Sequence, residues 1–368
     1  MTAASRSILL AAGGTGGHLF PAFALAEELG RRGYAIDLAT DMRGDRYGTG
    51  FPARAVHQLP SATLASKSPV AIAKTGLTLS RGILAARSLL KTLRPAAVVG
   101  FGGYPSFPPL LAARLANIPT ALHEQNAVLG RANRMLAKRM TAIATSFEQT
   151  KFIDGTLAPK CWFTGNPVRL AVLAEAARPY QAPDSTGPIS LLVFGGSQGA
   201  RYFSESLPPA LEKLPEALRR RIHLVQQARE EDASAVKAHY ASAGITADVA
   251  PFFKDLPARM AASHLVIARA GASSVAELAV LGRPSILVPL PHALDNDQLQ
   301  NATRLAESGG AWCIEQKVLT PERLALEIAG ILQDPQCLVR AAAAAKAAGR
   351  PDAVVRLADL VEELARAT

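Results

Sequence analysis

Cysteine is scarce in this chain: three in 368 residues, at positions 161, 313 and 337. An odd number at such wide spacing gives neither a disulfide framework nor a Cys-x-x-Cys metal site, which fits a reducing compartment. Aromatic residues make up only 5%, and no helix-turn-helix, zinc-finger or RNP-like run occurs, so nucleic acid is not an expected partner. No stretch approaches the ~18 apolar residues of a membrane span. The short apolar run near the N-terminus enters a glycine loop rather than a cleavage site, so it reads as a first strand and not as a secretory signal. Most unusual is the lack of any carboxylate between Arg46 and His123, a stretch that holds nine Lys and Arg.

What is present is ordinary globular material, 49% hydrophobic and 19% charged, which excludes disorder, collagen and coiled coil. The length suits two domains, each with its own core. Charge divides them: residues 1–170 carry 20 Lys and Arg against 8 Asp and Glu, residues 171–368 carry 20 against 22. Self-repulsion in the first half asks for an anionic partner, either a bilayer surface or a phosphorylated substrate.

Strand-length apolar runs alternate with helix-length segments. They are SILLAA (7–12), AIDLAT (35–40), AAVVGF (96–101), PTALHE (119–124) and TAIATS (141–146), then ISLLVFGG (189–196), RIHLVQQ (221–227), LVIARA (265–270) and PSILVPL (284–290). Continuous Val, Ile, Leu and Ala runs of this kind are buried parallel strands, and the rhythm predicts two doubly wound α/β halves. The segment 178–188, with three prolines and no periodicity, is expected to be the linker.

Each half opens with a strand that runs into glycines: Gly13, Gly14, Gly16 and Gly17 in the first, Gly195, Gly196 and Gly199 with the hydroxyl of Ser197 in the second. Glycines allow close backbone approach, and the helix that follows offers free N–H groups to an anion, so the pair predicts an inter-domain cleft for a phosphorylated ligand. It is not a nicotinamide site: Asp37 lies where a ribose-binding acid would, but Leu19 stands where the fingerprint needs its third glycine. Neither loop ends in Gly-Lys-Ser/Thr, so the Walker reading falls too. A third glycine loop spans 100–106, and His123, Glu124, Gln125 and Asn126 end the next strand, where open α/β sheets place ligand-contacting groups. Further on, Ser273, Ser274 and Glu277 follow the turn at Gly271, and Asp295, Asn296, Asp297, Gln298 and Asn301 form a set of hydrogen-bonding groups suited to a polyhydroxyl ligand. Asp295 and Asp297 also spell a DxD, a metal motif that no second acidic cluster supports.

The segments GGTGGHLFPA, GGYPS, HEQNAVLGRANR, GNPVR, GGSQGAR, RAGASSVAEL and DNDQLQNA occur in this order across almost the whole chain. Together they closely resemble the MurG family of peptidoglycan N-acetylglucosaminyltransferases. The resemblance implies an α/β GT-B architecture, two Rossmann-like doubly wound domains facing across a cleft. Its expected boundaries are an acceptor and membrane-facing domain 1–177, linker 178–188, UDP-GlcNAc-binding domain 189–350 and a C-terminal helix 351–368 packing back on the first domain. It implies transfer of GlcNAc from UDP-GlcNAc to the C4 hydroxyl of the N-acetylmuramoyl sugar of lipid I, with inversion, at the cytoplasmic face of the bacterial inner membrane. No metal or other cofactor is expected to be required. Wall-synthesis and division proteins are implied as further partners.

Carried over position by position, the resemblance places Ser197 and Gly196 on the donor diphosphate, the backbone of Phe253 on the uracil, Glu277 with Ala272 on the ribose, and Gln298 on the GlcNAc hydroxyls. Thr15, Gly16, Gly17, Asn126 and Arg169 resemble positions that close on the donor or on the acceptor phosphates, and Gly102, Gly103 and Tyr104 face the acceptor. His18, titratable near neutrality, is the candidate base for the incoming hydroxyl, its alternative role being a cationic phosphate donor; Glu124 is the fallback base. Residues 70–94 place Leu79, Ile83, Ala86, Leu90 and Leu93 at helical spacing among Lys74, Arg81 and Arg87, which predicts an interfacial basic amphipathic segment. A UDP-GlcNAc epimerase, a GT-B enzyme with another acceptor and a non-catalytic sugar-nucleotide module are the competing readings.

Overall fold

The structure is a computed structural model that describes residues 6–13, 15–41, 50–63, 68–195 and 200–367. The chain forms two compact units, Met1–Arg169 with Asp352–Thr368, and Leu170–Pro351.

The first unit contains β1 (Ser7–Ala11), α1 (Gly16–Arg31), β2 (Ala35–Thr40), β3 (Ala55–Gln58), α2 (Pro69–Leu93), β4 (Ala97–Gly100), α3 (Phe107–Leu115), β5 (Thr120–Glu124), α4 (Arg131–Ala137), β6 (Ala142–Thr145) and β7 (Cys161–Phe163). The seven strands are parallel, in the order β3-β2-β1-β4-β5-β6-β7. Strands β1, β4, β5 and β6 are buried throughout, as a sheet covered by helices on both faces requires. Strand order reverses between β1 and β4, so the loops that leave their carboxyl ends splay apart there and open a crevice.

The second unit contains α5 (Leu170–Glu175), β8 (Ile189–Phe194), α6 (Ala200–Glu212), α7 (Glu216–Arg219), β9 (Ile222–Gln227), α8 (Glu230–Ser242), β10 (Thr246–Ala250), α9 (Leu256–Ala262), β11 (Leu265–Ala268), α10 (Ala272–Leu281), β12 (Ser285–Leu287), α11 (Asp297–Glu307), β13 (Ala311–Cys313), α12 (Pro321–Leu332) and α13 (Pro335–Ala348). Its six strands are also parallel, in the order β10-β9-β8-β11-β12-β13, with the reversal between β8 and β11.

The chain returns to the first unit for α14 (Ala353–Arg366). Its Leu357, Ala358, Val361, Leu364 and Ala365 fall on one helical face and join Leu25, Ala26 and Leu29 of α1 in the core. Burying each of the Leu and Val side chains stabilises by ~1.5–3 kcal/mol. Arg32 fixes the approach, pairing with Glu28 of α1 and with Asp359 and Glu362 of α14 at 2.7, 2.7 and 3.2 Å.

Two boundaries differ from the sequence reading. The first unit ends at Arg169 rather than 177, because α5 packs with α9 and α10. The stretch 178–188 is not a free linker but is pinned to the second unit. Tyr180 donates to the His264 carbonyl at 2.9 Å, Arg221 donates to the carbonyls of Gly187 and Asp184, and Arg283 to that of Arg178.

The charge follows the units. The first holds 22 Lys and Arg against 12 Asp and Glu, the second 18 against 18, so the whole net charge of +10 lies on the first.

Candidate active site

In the first unit the loop after β1 enters α1 at Thr15, whose side chain caps nothing, so the leading N–H groups at Gly16 and Gly17 keep the anion-binding character of a bare helix N-terminus. Gly13 lies in close quarters: a Cβ there would come within 2.7 Å of Thr40 Oγ1 and 3.2 Å of Pro105. The loop after β4 meets His18, with Gly102 and Gly103 at φ +82° and +69°, a backbone state that side chains disfavour. A Cβ on Gly103 would stand 3.4 Å from His18 Nε2, and one on Gly102 would stand 3.4 Å from Cε1. These glycines therefore hold open the ring edge of the candidate base. Tyr104 follows them and forms part of the wall of a groove of about 690 Å³ that Asp41, Gln58, Thr63 and Thr78 also line. Arg169 lies near this region, its guanidinium 5.4 Å from the Phe20 ring at the start of α1.

Asp37 is buried inside β2, bound to Arg54 at 2.5 Å and His57 at 3.1 Å. It ties the edge strand β3 to β2 and holds no ribose.

The segment 123–126 divides its work between two faces, since successive side chains at a strand end point opposite ways. His123 and Gln125 turn one way. His18 Nδ1 lies 2.9 Å from Gln125 Oε1, Gln125 Nε2 lies 2.8 Å from His123 Nδ1, and His123 Nε2 lies 3.1 Å from the Gly165 carbonyl. His123 is fully buried, and burial pushes its pKa down to about 4 against the upward pull of the Gly165 carbonyl, so it is neutral at pH 7.

Glu124 turns the other way and is spent on the loop that follows. One carboxylate oxygen accepts from the Asn126 backbone at 3.0 Å and its amide at 3.2 Å; the other accepts from the Gly130 backbone and the Asn133 amide, both at 2.8 Å. Burial pushes its carboxyl above the usual range, while these donors and the nearby His18 pull the other way. With every acceptor direction occupied, Glu124 is a clamp for residues 126–133 and is not placed to take a substrate proton. Asn126 stands beside it, its amide held by that carboxylate.

In the second unit, Gly196 and Ser197 lie outside the described residues. Their neighbour Gly195 donates its N–H to Gln227 Oε1 at 3.3 Å, and Gln227 Nε2 donates to the Pro251 carbonyl at 3.1 Å. Gln227, which the sequence reading missed, thus links the carboxyl ends of β8, β9 and β10. Phe253 lies just beyond, buried, with the Arg259 guanidinium 4.4 Å over its ring.

The turn at Gly271 starts α10 without a side-chain cap, Ala272 is its first residue, and Glu277 is buried one turn in. Asn301 donates to the Ala270 carbonyl at 3.1 Å and Gln298 Oε1 accepts from the Leu290 backbone at 3.0 Å, so α11 is fastened beside that turn and beyond β12. Asn301 is fully buried and structural, whereas Gln298 is half-buried, its oxygen engaged by the Leu290 N–H. Asp297 accepts from the Gln298 backbone at 2.7 Å, and among the described residues no group of three His, Cys, Asp or Glu forms a metal-sized cluster. Buried Arg269, also missed from sequence, donates to the carbonyls of Val288 and Pro289, both at 3.2 Å, and to Gln316 at 2.7 Å.

Helix α2 corrects the expected interfacial face. Of the stripe Leu79, Ile83, Ala86, Leu90 and Leu93, the last four turn inward: Ala86 and Leu90 are buried in the core with Leu110 and Ala112 of α3, and Ile83 and Leu93 pack beside them. Leu79 is half-buried outside that cluster. Gly82 permits this approach, since a Cβ there would meet the Pro60 carbonyl oxygen at 2.1 Å. The outer face carries a different apolar set, Val70, Leu77 and Leu84, exposed by 78, 54 and 68%. Lys74, Arg81 and Arg87 are exposed around it. Among the described residues no helix is long and apolar enough to cross a membrane.

Models of the glycosyltransferase family 28 N-terminal and C-terminal domains match residues 8–145 and 190–357. The UDP-N-acetylglucosamine–N-acetylmuramyl-(pentapeptide) pyrophosphoryl-undecaprenol N-acetylglucosamine transferase of Rhodopseudomonas palustris strain BisB18 is 56% identical over 97% of this chain and 96% of its own. That of Methylobacterium sp. strain 4-46 is 54% identical over 99% and 98%. Among solved structures, MurG of Acinetobacter baumannii superposes with a TM-score of 0.80 at 30% identity, covering 97% of this chain and 99% of that one. A UDP-N-acetylglucosamine 2-epimerase with a TM-score of 0.66 at 15% identity shares the fold alone. The two parallel-sheet units are thus the Rossmann-like pair of a GT-B glycosyltransferase, and the chain belongs to glycosyltransferase family 28 and, within it, to the MurG family.

Proposed function

We infer that this enzyme transfers GlcNAc from UDP-GlcNAc to the C4 hydroxyl of the MurNAc sugar on undecaprenyl-pyrophosphoryl-MurNAc-pentapeptide, giving lipid II and UDP with inversion. The observation that carries this is identity above 50% over nearly the full length to relatives bearing that activity's name. In the displacement, the acceptor oxygen bonds to the anomeric carbon while the bond from that carbon to the UDP oxygen breaks, its electron pair leaving with UDP. The hydroxyl proton goes to His18 Nε2, the ring edge kept open by Gly102 and Gly103.

The first unit supplies the groups for the acceptor: the base, the bare start of α1 with Thr15, Gly16 and Gly17, and Arg169 for phosphate charge. Asn126 and the groove beside Tyr104 serve the same substrate. The second unit supplies the donor groups: the 196–197 loop for the diphosphate, the backbone at Phe253 for uracil, Glu277 for ribose and Gln298 for the sugar hydroxyls. Developing charge on UDP is met by helix N-termini and basic groups, and no metal is required.

The enzyme is a peripheral protein of the cytoplasmic membrane face, held through the outer side of α2. Lys74, Arg81 and Arg87 each contribute ~1 kcal/mol at an anionic surface, and Val70, Leu77 and Leu84 enter the interface. The decisive assay follows labelled UDP-GlcNAc into a short-chain lipid I analogue in EDTA. Transfer in chelator supports both acceptor and metal-free route; rescue only by Mg²⁺ overturns the latter, and release of free UDP without labelled lipid overturns the acceptor. Reversing charge at Lys74, Arg81 and Arg87 together with Leu77→Glu abolishes retention on anionic liposomes, and unchanged retention refutes the docking face.

A further inference from the structure

The hydrogen bonds that lead from His18 into the first unit have only one consistent polarity, and two backbone carbonyls set it. A carbonyl oxygen only accepts. His123 Nε2, at 3.1 Å from the Gly165 carbonyl, therefore carries a hydrogen. The ring is neutral, so His123 Nδ1 is a lone pair. The amide end of Gln125 that lies 2.8 Å from this lone pair also lies 2.9 Å from the His123 backbone carbonyl. Both neighbours accept, so that end is the NH₂ group, which fixes the amide orientation from its surroundings rather than by assignment. Gln125 Oε1 is then the end that faces His18 Nδ1 at 2.9 Å, and Nδ1 must carry the hydrogen. In a neutral imidazole, a hydrogen on Nδ1 leaves Nε2 as the lone pair.

We propose that His123 and Gln125 are positioning residues that hold His18 in the Nδ1–H tautomer, so that the ring edge beside Gly103 is the basic one. This rests on the reading of His18 as the base for the acceptor hydroxyl and deepens it. Without the relay, neutral His18 distributes its hydrogen between both nitrogens, and molecules with a hydrogen on Nε2 cannot take the acceptor's proton. When His18 receives that proton it donates from both nitrogens, and Gln125 Oε1 still accepts from Nδ1, so the relay does not need to turn over during the reaction.

The test uses the full chain labelled with ¹⁵N-histidine, the His18 signals being identified by their loss in His18→Ala. At pH 8 the two rings are expected in opposite tautomers, His18 with hydrogen on Nδ1 and His123 with hydrogen on Nε2. In Gln125→Leu, His18 becomes a mixture and kcat for the lipid acceptor falls about tenfold, the scale of one lost hydrogen bond, while both KM values stay within about twofold. His123→Phe, which keeps an aromatic ring beside Phe101, acts in the same direction on tautomer and kcat. A native His18 with hydrogen on Nε2 overturns the relay whatever the kinetics; so does Gln125→Leu with an unchanged tautomer. Undiminished kcat in His18→Ala instead refutes the base on which the relay rests.

Discussion

His123 gives the first unit a measurable acid sensitivity. Its pKa falls from 6.5 in the open chain to about 4 in the fold, because burial penalises the charged ring. Between those values the unfolded chain binds a proton that the folded chain refuses. The stability contributed by the neutral ring is therefore complete above pH 6.5 and declines as pH falls, reaching a loss of about 3 kcal/mol near pH 4. The perturbation is His123→Phe, which removes the titration and leaves every other ionisable group in place. Urea unfolding can be followed in the first unit alone: the chain has two tryptophans, Trp162 on β7 and Trp312 on β13, so Trp312→Phe leaves one reporter. Between pH 7.5 and pH 5.0 the histidine form should lose about 2 kcal/mol more than the phenylalanine form, the part of the shift spanned by that range. Parallel pH dependences in the two proteins would mean that His123 takes up its proton as readily in the fold as in the open chain, and would refute the burial argument.

Other consequences are equally direct. Gly82→Ala drives a Cβ into the Pro60 carbonyl and should cost about 2–3 kcal/mol on the same unfolding curves, whereas Gly76→Ala, in open space on the same helix, should stabilise by up to ~1 kcal/mol. Gly103→Ala combines a left-handed backbone with a methyl against the basic edge of His18, so kcat should fall at least about tenfold with UDP-GlcNAc KM unchanged. Glu277→Ala should do the reverse, raising UDP-GlcNAc KM by about tenfold while kcat changes by less than about threefold; a kcat effect without a KM effect would move Glu277 out of the donor site.

The strands that the sequence announces and those it hides differ by position in the sheet. Every run of Val, Ile, Leu and Ala proves to be an interior strand. The four that carry no such run, β3, β7, β10 and β13, are the four sheet edges. An edge strand meets solvent along one side, so AVHQ, CWF, TADVA and AWC need no continuous apolar character, and their half-exposed residues show it. The same logic explains α2. Its periodicity is genuine, but a helix with apolar residues on two faces has two candidate stripes, and composition cannot say which is inward. Gly82 settles it only in the structure, where its missing side chain lets the Pro60 carbonyl approach; Gly76 of the same helix stands in open space, so a glycine in the sequence does not by itself mark the inward face.

At the site, the glycine loops that follow β1, β4, β8 and β11 were legible, since each ends a strand-length apolar run; that these loops leave the strands where the order reverses is seen only in the structure. The division of labour inside 123–126 was not. Four polar residues in a row look equivalent on paper, and the acid among them is the natural choice for a proton acceptor. The pleat separates them: Glu124 turns into a loop whose N–H groups exhaust it, while His123 and Gln125, two apart and on the other face, reach His18. What then decides the chemistry is the direction of two carbonyls, those of Gly165 and His123, and a carbonyl's direction depends on how the chain turns after β5 and β7 rather than on any side chain. Replacing Glu124 and replacing Gln125 should accordingly fail in different ways. Loss of Glu124 loosens residues 126–133 and lowers stability along with activity; loss of Gln125 leaves the fold intact and takes away only the certainty that His18 meets the acceptor with its lone pair.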